Sequence, residues 1–254
     1  MNSISCRVRT RIVDAAIRSS EGHVPSSFSV VETLLAIVET QLKKESVFNP
    51  RNIILSKGHA SYCWYAILAE YGLLTEDEFS TIGKVGSKLY GHLPYLDSDE
   101  RFSYATGSLG HGLPFAIGYS FATADKIDLS CKYVVIGDGE SNEGTFWEGL
   151  LLAQKLIEIR AMRLNVLIDM NDSSERAIPI ARNLRHLRHV FPKFEWYEHD
   201  GHELEAMIDV LVKTTDKLCI HLCFTKKGYP YPELSDPIHH HGRFTQETWS
   251  RLQR

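Results

Sequence analysis

The sequence predicts an α/β fold in which a doubly wound, mostly parallel sheet carries helices on both faces. Short apolar strands alternate with helical patterns along the whole chain, as in α/β domains. No internal repeat or low-complexity linker interrupts this alternation. The length of 254 residues suits one large domain with a full core, so we expect a single domain over residues 1–254.

Strands are predicted where short apolar runs are bounded by turn residues. In order they are residues 53–55, "KYVVIGDG", "LNVLIDMND", and residues 194–198 and 217–224. Helices are predicted where apolar residues recur at helical spacing. They cover residues 3–20, 29–43, from the turn after 59 to about 71, 109–124, about 143–160, 182–189, 202–213, and from 245 onward.

Two connections in this pattern bear on function. The stretch "SEGHVPSS" is predicted as a loop between the first two helices. Residues 75–108 hold one short helix and then a long irregular segment of glycine, proline and aromatic residues. Because long loops inside a compact domain are usually functional, we expect part of a site there.

Composition and charge exclude several classes of protein. The formal charge is −4 at pH 7 and the basic residues are scattered, so no basic stripe would bind nucleic acid. No run approaches about eighteen apolar residues, and the arginine-rich N-terminus lacks the apolar segment of a signal peptide. We expect a cytoplasmic protein with no membrane partner. The five cysteines contain no C-x-x-C pair and are expected to be buried, reduced thiols.

Histidine is unusually frequent in this chain. Of the 12 histidines, five directly follow a glycine, namely His23, His59, His92, His111 and His202. Composition alone would give about one such pair. Glycine permits turns in which the backbone approaches a ligand, so a Gly-His pair can present an imidazole from a loop. A single pair is more simply a structural histidine, whereas five favour a pocket lined by imidazoles.

Polar side chains stand at the ends of two consecutive predicted strands. Asp138 lies between Gly137 and Gly139, and Asn171 ends the next strand. One helix joins the two strands, so a right-handed crossover would make them neighbours or place them one strand apart. Ligands of parallel sheets bind at the carboxyl ends of the strands. Carboxylate and amide oxygens suit Mg²⁺ or Ca²⁺, while glycine amides and a helix start suit an anion, so these features favour a metal-bridged diphosphate.

Two simpler interpretations of this strand end stay open. From the triplet alone, Gly137-Asp138-Gly139 can be a tight turn in which Asp138 caps the following helix. Asp169 and Asp172 are alternative oxygen ligands beside Asn171. The residue pattern therefore favours a metal without deciding which oxygens hold it.

Five motifs occur in the order found in one known family. They are "EGHVPSSFSVVETL", "RNIILSKGHASYCWYAILAEYG", "YGHLP", "TGSLGHGLPFAIGYSFA", and "GDGESNEGTFWEG" followed by "DMND". Over nearly its whole length the chain resembles the N-terminal, diphosphate-binding half of transketolase, in the form found as a separate subunit of split transketolases. The resemblance implies the thiamine diphosphate-binding fold and a thiamine diphosphate cofactor.

The resemblance also implies a metal site and a diphosphate site. Asp138 and Asn171 would hold Mg²⁺, or Ca²⁺ or Mn²⁺ in its place, with the carbonyl near Ser173 as a third protein ligand. Gly137 and Gly139 would meet the diphosphate.

Further roles follow from the same resemblance. Glu143 would link the two cofactor sites across a dimer, and Gly107, Ser108 and Leu109 would line the aminopyrimidine edge. The histidines that would face the cofactor's reactive carbon, the diphosphate and the sugar hydroxyls are His23, His59, His92 and His241. Imidazoles suit this chemistry because each half-reaction moves protons at hydroxyl and carbonyl oxygens.

The chain departs from the family pattern at several positions. His111 stands where many members have glutamine, "GHVPSS" lacks the usual continuation, and the interval from Asp138 to Asn171 is slightly long. The stretch "DSSERAIPI" replaces the usual residues after Asn171. These departures bear on the substrate and the third metal ligand more than on the fold.

The resemblance covers only the diphosphate-binding domain. We therefore expect a separate C-terminal subunit with the pyrimidine-binding domain, an α2β2 assembly, and ketol transfer from a ketose to an aldose, with sugars or sugar phosphates as substrates. Two alternatives stay open. One is another thiamine diphosphate-dependent carbon–carbon bond reaction, such as deoxyxylulose phosphate synthesis or transfer to an unusual sugar or carrier-bound acceptor. The other is a non-catalytic partner subunit that retains the fold.

Overall fold

A five-stranded parallel sheet forms the centre of the protein, in a computed structural model that describes residues 3–94, 96, 99–102, 104–124, 130–171, 181–235 and 243–253. The strands are β1 (Ile53–Leu55), β2 (Lys132–Gly137), β3 (Leu164–Met170), β4 (Glu195–Asp200) and β5 (Leu218–Phe224). Their order across the sheet is β1-β2-β3-β5-β4, and all four pairings are parallel. The predicted fold class is confirmed.

Ten α-helices connect and flank these strands within the described ranges. They are α1 (Ser3–Ser19), α2 (Val24–Ser29), α3 (Val31–Glu45), α4 (Ser61–Glu70), α5 (Glu76–Ser80), α6 (Gly112–Thr123), α7 (Gly144–Ile159), α8 (Leu187–Val190), α9 (Leu204–Leu211) and α10 (Gln246–Leu252). Short 3-10 helices occur at Pro50–Asn52, Gly58–Ala60, Asp138–Asn142, Ala181–His186 and Pro232–Ser235.

Each face of the sheet buries its own apolar layer. Successive side chains of a strand point to opposite faces, so Tyr133 and Val135 of β2 pack with α1, α3, α4 and α9, while Val134 and Ile136 pack with α6 and α7. Because both faces are covered, the central strands are apolar at nearly every position, as in other parallel sheets.

The structure corrects the predicted elements at several places. The predicted helix 182–189 is a 3-10 helix at Ala181–His186 followed by the four residues of α8. The segment "VPSS", predicted as a loop, belongs to α2, because Pro25 suits the first turn of a helix and every residue of α2 is buried. Helix α6 begins at Gly112 rather than at 109, since Gly110 has a φ of +79° that a helix does not accommodate. Strand β4 extends to Asp200, two residues beyond the predicted end.

None of the helices in the described ranges combines the length and hydrophobicity needed to cross a membrane. The five cysteines are free thiols, and four of them are buried as expected, but the expectation of burial is wrong for Cys6, which is exposed. Burial raises the pKa of these buried thiols, which for Cys131 reaches about 12.

Candidate functional site

Asp138 and Asn171 lie at the same edge of the sheet, as predicted. β2 and β3 are adjacent, with Gly137 opposite Asp169 in the ladder. Asp138 directly follows Gly137, and Asn171 lies two residues beyond Asp169. The carboxyl ends of both strands therefore present polar side chains to one region above the sheet.

Asp138 does not cap the α-helix that follows the Gly-Asp-Gly triplet, although Gly137 is the N-cap of a short 3-10 helix. Asp138 is buried, and its Oδ1 accepts a hydrogen bond from the backbone N–H of Gly139 at 2.7 Å. The chain continues from Asp138 as a 3-10 helix to Asn142, and α7 begins at Gly144 with Glu143 as its N-cap. The capping interpretation of this triplet is thereby excluded.

Asp169 orients the side chain of Asn171. Asp169 is fully buried, and its Oδ2 accepts a hydrogen bond from Asn171 Nδ2 at 2.8 Å. A carboxylate only accepts hydrogen bonds, so the nitrogen of the Asn171 amide faces Asp169 and its oxygen faces away. The amide oxygen is therefore the atom that Asn171 offers to a ligand above the sheet.

Asp169 is itself held by an ion pair with Lys57. The Lys57 ammonium and the Asp169 carboxylate are in direct contact, and both side chains are almost completely buried. Thr225 Oγ1 donates to the other oxygen of Asp169. Burial alone would raise the pKa of Asp169, but the Lys57 ammonium and these hydrogen bonds outweigh it and hold that pKa below its usual value. Asp169 thus supports Asn171 instead of competing with it.

The Lys57 side chain fixes α2 against the end of β3. Its Nζ donates to Ser29 Oγ at 2.8 Å and to the Ser26 carbonyl at 3.1 Å. Ser29 Oγ also donates to Asp169 Oδ2 at 2.9 Å. No motif in the sequence assigned a role to Lys57. A signal was nevertheless present, because Lys57 and Asp169 carry opposite charges at the ends of two apolar strands, and buried charges are usually paired.

Glu140 joins three segments around the Gly-Asp-Gly turn. Its carboxylate accepts hydrogen bonds from Ser56 Oγ at 2.5 Å, Gly110 N at 2.9 Å and Gly137 N at 3.0 Å. Burial raises the pKa of Glu140, although these hydrogen bonds counteract the shift. Glu140 was not predicted from the sequence, because no local pattern shows that β1, β2 and the segment before α6 meet there.

Three of the Gly-His histidines form one cluster. The ring centroid of His23 lies 5.8 Å from that of His59 and 5.9 Å from that of His92. His59 belongs to the turn that follows β1, so the cluster lies at the same edge of the sheet as Asp138. A Cβ on Gly58 would lie 2.6 Å from His92 Nδ1 and 2.3 Å from Thr106 Oγ1, so only glycine permits this approach.

The segment of Gly107, Ser108 and Leu109 is exposed. A Cβ on Gly110, which follows this segment, would lie 2.8 Å from the Cβ of Glu143. Glu143 is half-buried at the N-cap of α7. The structure therefore brings the segment before α6, Glu143 and the Gly-Asp-Gly turn together.

The remaining predicted residues are placed differently. His111 is exposed at the N-cap of α6. His202 stacks on Tyr229, with ring centroids 3.7 Å apart. The predicted metal ligand Ser173, the alternative ligand Asp172 and the predicted His241 lie outside the described residues.

Buried polar atoms at this edge fit a phosphate-bearing cofactor with its metal. Among the described residues, Ser26 Oγ, Asn142 Oδ1 and Thr145 Oγ1 are buried without a hydrogen-bond partner. Ser26 lies next to Lys57, and the other two flank Glu143. The carboxylate of Asp138 and the amide oxygen of Asn171 are ligands of the type that Mg²⁺ prefers. Within the described ranges, no group of three or more His, Cys, Asp and Glu side chains is arranged to hold a metal ion.

An open parallel sheet with this edge places the protein among the α/β domains that bind a ligand beyond the carboxyl ends of their strands. A family model described as "Transketolase, thiamine diphosphate binding domain" matches residues 2–248. The chain belongs to the transketolase family and is a thiamine diphosphate-binding domain of that family.

Individual relatives agree with this assignment. The chain is 31% identical to one subunit of the apulose-4-phosphate transketolase from Actinobacillus succinogenes, over 87% of this chain and 82% of that protein. It is 30% identical to mouse transketolase-like protein 2 and 28% identical to human transketolase, over 96% and 97% of this chain. The chain spans only 40% and 42% of the lengths of those two relatives.

Solved transketolase structures share the fold. The structure of transketolase from Campylobacter jejuni superposes with a TM-score of 0.78 at 21% identity, over 100% of this chain and 43% of that one. A Pichia stipitis transketolase variant in complex with fructose 6-phosphate gives a TM-score of 0.79 at 24% identity, over 98% of this chain and 39% of that one.

Proposed function

We propose that this chain is the diphosphate-binding subunit of a thiamine diphosphate-dependent transferase that moves a two-carbon ketol unit from a ketose to an aldose. The observation that carries the proposal is the cluster of His23, His59 and His92 at the sheet edge where Asp138 and Asn171 end their strands. Such an arrangement pairs groups that hold a metal and a diphosphate with groups that exchange protons near neutral pH.

The proposed metal is Mg²⁺, with Ca²⁺ or Mn²⁺ as substitutes. Asp138 would supply a carboxylate oxygen, Asn171 its amide oxygen and Ser173 its backbone carbonyl. Gly137 and Gly139 would allow the diphosphate to approach the backbone. The hydrogen bond from Asn171 to Asp169 supports this assignment, because it directs the amide oxygen away from the sheet.

Thiamine diphosphate, when bound, supplies a carbon nucleophile that can cleave the bond beside a ketose carbonyl. The imidazoles of His23, His59 and His92, together with His241, would donate protons to and accept protons from the hydroxyl and carbonyl oxygens of the sugars. Imidazole suits both directions because its charge changes near neutral pH. The clustering of three rings supports a shared role in both half-reactions.

The proposed partner is a separate C-terminal subunit that carries the pyrimidine-binding domain, in an α2β2 assembly. Helices α6 and α7 expose apolar side chains, with Phe115 41%, Leu151 61% and Leu152 47% accessible, and Leu109 in the segment before α6 is 45% accessible. Exposed apolar patches of this kind mark interaction surfaces. Residues 1–254 would then form a single domain, and the subunit would be active only in the complex.

The segment before α6 would contribute to the shared part of the site. Gly107, Ser108 and Leu109 would line the aminopyrimidine edge, and Glu143 would connect the two cofactor sites across the assembly. Their position supports this, since Gly110 places the segment directly against Glu143.

The relative from Actinobacillus succinogenes is named as one subunit of an apulose-4-phosphate transketolase, which supports a divided enzyme and a phosphorylated sugar. A second function on the same scaffold is a different thiamine diphosphate-dependent carbon–carbon bond reaction. The exposed His111 at the N-cap of α6, beside the proposed aminopyrimidine edge, favours it. Assays with free sugars, sugar phosphates and α-keto acids distinguish the two functions.

The test is calorimetry with Mg²⁺ and thiamine diphosphate, using the full chain with its partner subunit present. We expect binding, its loss in Asp138→Ala, and ketose-dependent transfer to an aldose. Asp209→Ala, an exposed aspartate on α9, is the matched control. Failure of the wild type to bind either compound, or unchanged binding in Asp138→Ala, would overturn the proposal.

A further inference from the structure

His202 follows the end of β4 in a turn that presses against the end of β5. Gly201 N donates to the Phe224 carbonyl at 2.8 Å, and a Cβ on Gly201 would lie 2.4 Å from Thr225 Cγ2. His202 N donates to Asp200 Oδ1 at 3.0 Å, which fixes the turn. The His202 imidazole of this Gly-His pair therefore points toward the residues that directly follow β5.

The His202 ring is held in one tautomer. Its Nε2 accepts a hydrogen bond from the backbone N–H of Lys226 at 2.8 Å, so the proton of the neutral ring is on Nδ1. Nδ1 lies 3.5 Å from Glu32 Oε2. Arg9 holds Glu32 with two hydrogen bonds of 2.7 and 2.8 Å.

Glu32 remains ionised on the Nδ1 side of the ring. Burial would raise its pKa, but His202 and Arg9 lower it to about 2. The carboxylate on the Nδ1 side is close enough to attract the Nδ1–H electrostatically, but Nδ1 makes no hydrogen bond among the described residues. The hydrogen bond from Lys226 to Nε2 and the stacked ring of Tyr229 therefore determine the orientation of the ring.

We name residues 225–229 the β5 exit segment. This segment connects two parts of the proposed cofactor site, namely Asn171 with its partner Asp169, and the chain near His23. Thr225 Oγ1 donates to Asp169, which orients Asn171. Gly228 N donates to the Pro25 carbonyl at 3.0 Å, two residues from His23. Arg9 Nε donates to the Tyr229 carbonyl at 3.0 Å, which fixes the far end of the segment.

We propose that His202 is a positioning residue for the proposed cofactor site. It holds the β5 exit segment in place between Asn171, which Thr225 reaches through Asp169, and the chain just after His23, which Gly228 contacts at Pro25. This inference rests on the proposed function, since it concerns the affinity of that site for Mg²⁺ and thiamine diphosphate. In this proposal His202 acts through the backbone of Lys226 and the ring of Tyr229.

The test compares two substitutions that separate the hydrogen bond from the packing. His202→Phe keeps a flat ring against Tyr229 and removes the acceptor for Lys226, whereas His202→Gln restores an acceptor oxygen. Calorimetry measures Mg²⁺ binding at saturating thiamine diphosphate, on the full chain with its partner subunit. We expect affinity to fall about tenfold in His202→Phe, in the range seen when groups supporting a metal ligand are removed. We expect His202→Gln to regain most of it.

A purely structural role would give a different result. It would lower the melting temperature of His202→Phe without changing the Mg²⁺ affinity of the folded fraction, and that result would overturn the inference. His189→Phe on the exposed face of α8 is the matched control. If His202→Phe does not fold, Thr225→Val is the alternative variant, since it removes the hydrogen bond to Asp169 at nearly constant volume. We expect Thr225→Val to weaken Mg²⁺ binding in the same way. Unchanged Mg²⁺ affinity in Thr225→Val would equally overturn the inference.

The outcomes also separate this inference from the proposed function. A wild type that binds neither Mg²⁺ nor thiamine diphosphate would overturn the proposed function, and the role of His202 with it. A wild type that binds both, with His202→Phe binding equally well, would overturn only the role of His202.

Discussion

Asn171 Nδ2 donates a hydrogen bond to the buried Asp169 carboxylate at 2.8 Å, and the same Asp169 oxygen is in contact with the ammonium of Lys57. The Asp169 carboxylate thus orients the neutral amide of Asn171, while the Lys57 ammonium balances the charge of that carboxylate. Asn171 is thereby suited to offer oxygen, and only oxygen, to a ligand above the strands.

Asn171→Asp tests this orientation. A free aspartate would bind Mg²⁺ more tightly than asparagine, but here the new carboxylate would face Asp169 and lose the donor that fixes it. We expect Mg²⁺ affinity to fall about tenfold or more, measured by calorimetry with thiamine diphosphate present. Asn183→Asp at an exposed position is the control. Tighter binding in Asn171→Asp would contradict the orientation.

Lys57→Met should leave Asp169 as an uncompensated buried charge. We expect the free energy of unfolding to fall by about 3–5 kcal/mol at neutral pH, measured by urea denaturation. The lowered pKa of Asp169 means that its stabilising effect in the wild type is present above the unfolded pKa of about 4 and is lost as pH falls. The deficit of the variant should therefore shrink toward acidic pH.

Lys155→Met is the matched control, because the Lys155 side chain is 77% exposed on α7. We expect its stability to stay within about 0.5 kcal/mol of the wild type. A Lys57→Met deficit that is the same at every pH would count against Asp169 as its cause.

Glu140→Gln should change how stability depends on pH. Because the folded-state pKa of Glu140 is raised, the folded chain binds the proton more tightly than the unfolded chain. Its contribution is full below the unfolded pKa of about 4.3 and falls as pH rises through the folded pKa. The variant should lack this decline, which urea denaturation across the pH range would measure.

Near neutral pH, the folded state of Glu140→Gln should also be less stable than that of the wild type. The new amide nitrogen is a donor, and it would face another donor, which is the N–H of Gly110 or Gly137 or the hydroxyl of Ser56. Leaving one buried group without a partner costs about 1–3 kcal/mol. Glu148→Gln, exposed on α7, is the control. Identical pH profiles for Glu140→Gln and the wild type would refute this account.

His23→Ala and His92→Ala should retain cofactor binding and lose turnover. Their imidazoles belong to the cluster assigned to proton transfer, whose removal costs about 10²–10⁴-fold in rate. Calorimetry checks binding and a coupled sugar assay of the complex checks the rate. His186→Ala, exposed after β3, should leave both unchanged. Unchanged turnover in both cluster variants would remove the proposed role.

Leu151→Glu should disrupt assembly without unfolding the chain. Leu151 is 61% exposed on α7, so the isolated chain should lose little stability. In the complex, a charge placed against an apolar partner should weaken association by about tenfold or more, measured by analytical ultracentrifugation. Val190→Glu, at a side chain 58% exposed on α8, is the control. Equal effects of the two variants would argue against α6 and α7 as the interface.

The sequence predicts the parts of the fold that depend on periodicity. The alternation of apolar strands and helices is enough for the parallel sheet. The single helix between Asp138 and Asn171 places their strands either side by side or one strand apart, and the structure shows that they are adjacent. Helix α2 is not predictable in this way, because its six residues show no helical period and are helical through burial and Pro25.

The supporting residues of the site depend on tertiary contacts and were therefore missed. Asp169 appears in the sequence only as an alternative ligand, and its ion pair with Lys57 requires β1, β3 and α2 to meet. Glu140 stands in an acidic run that does not indicate its three hydrogen-bond donors. By contrast, the Gly-His pairs predicted an imidazole cluster, and three of the five rings form one.

The contacts of Asp169 also fix when the site appears during folding. Its partners Ser29 and Lys57 are 140 and 112 residues away along the chain. Such distant pairings form slowly, because a long loop must close before any contact forms. The hydrogen bonds that orient Asn171 are therefore complete only after the whole span from α2 to Thr225 has been synthesised and docked, and a nascent chain that stops before the end of β5 lacks part of this support.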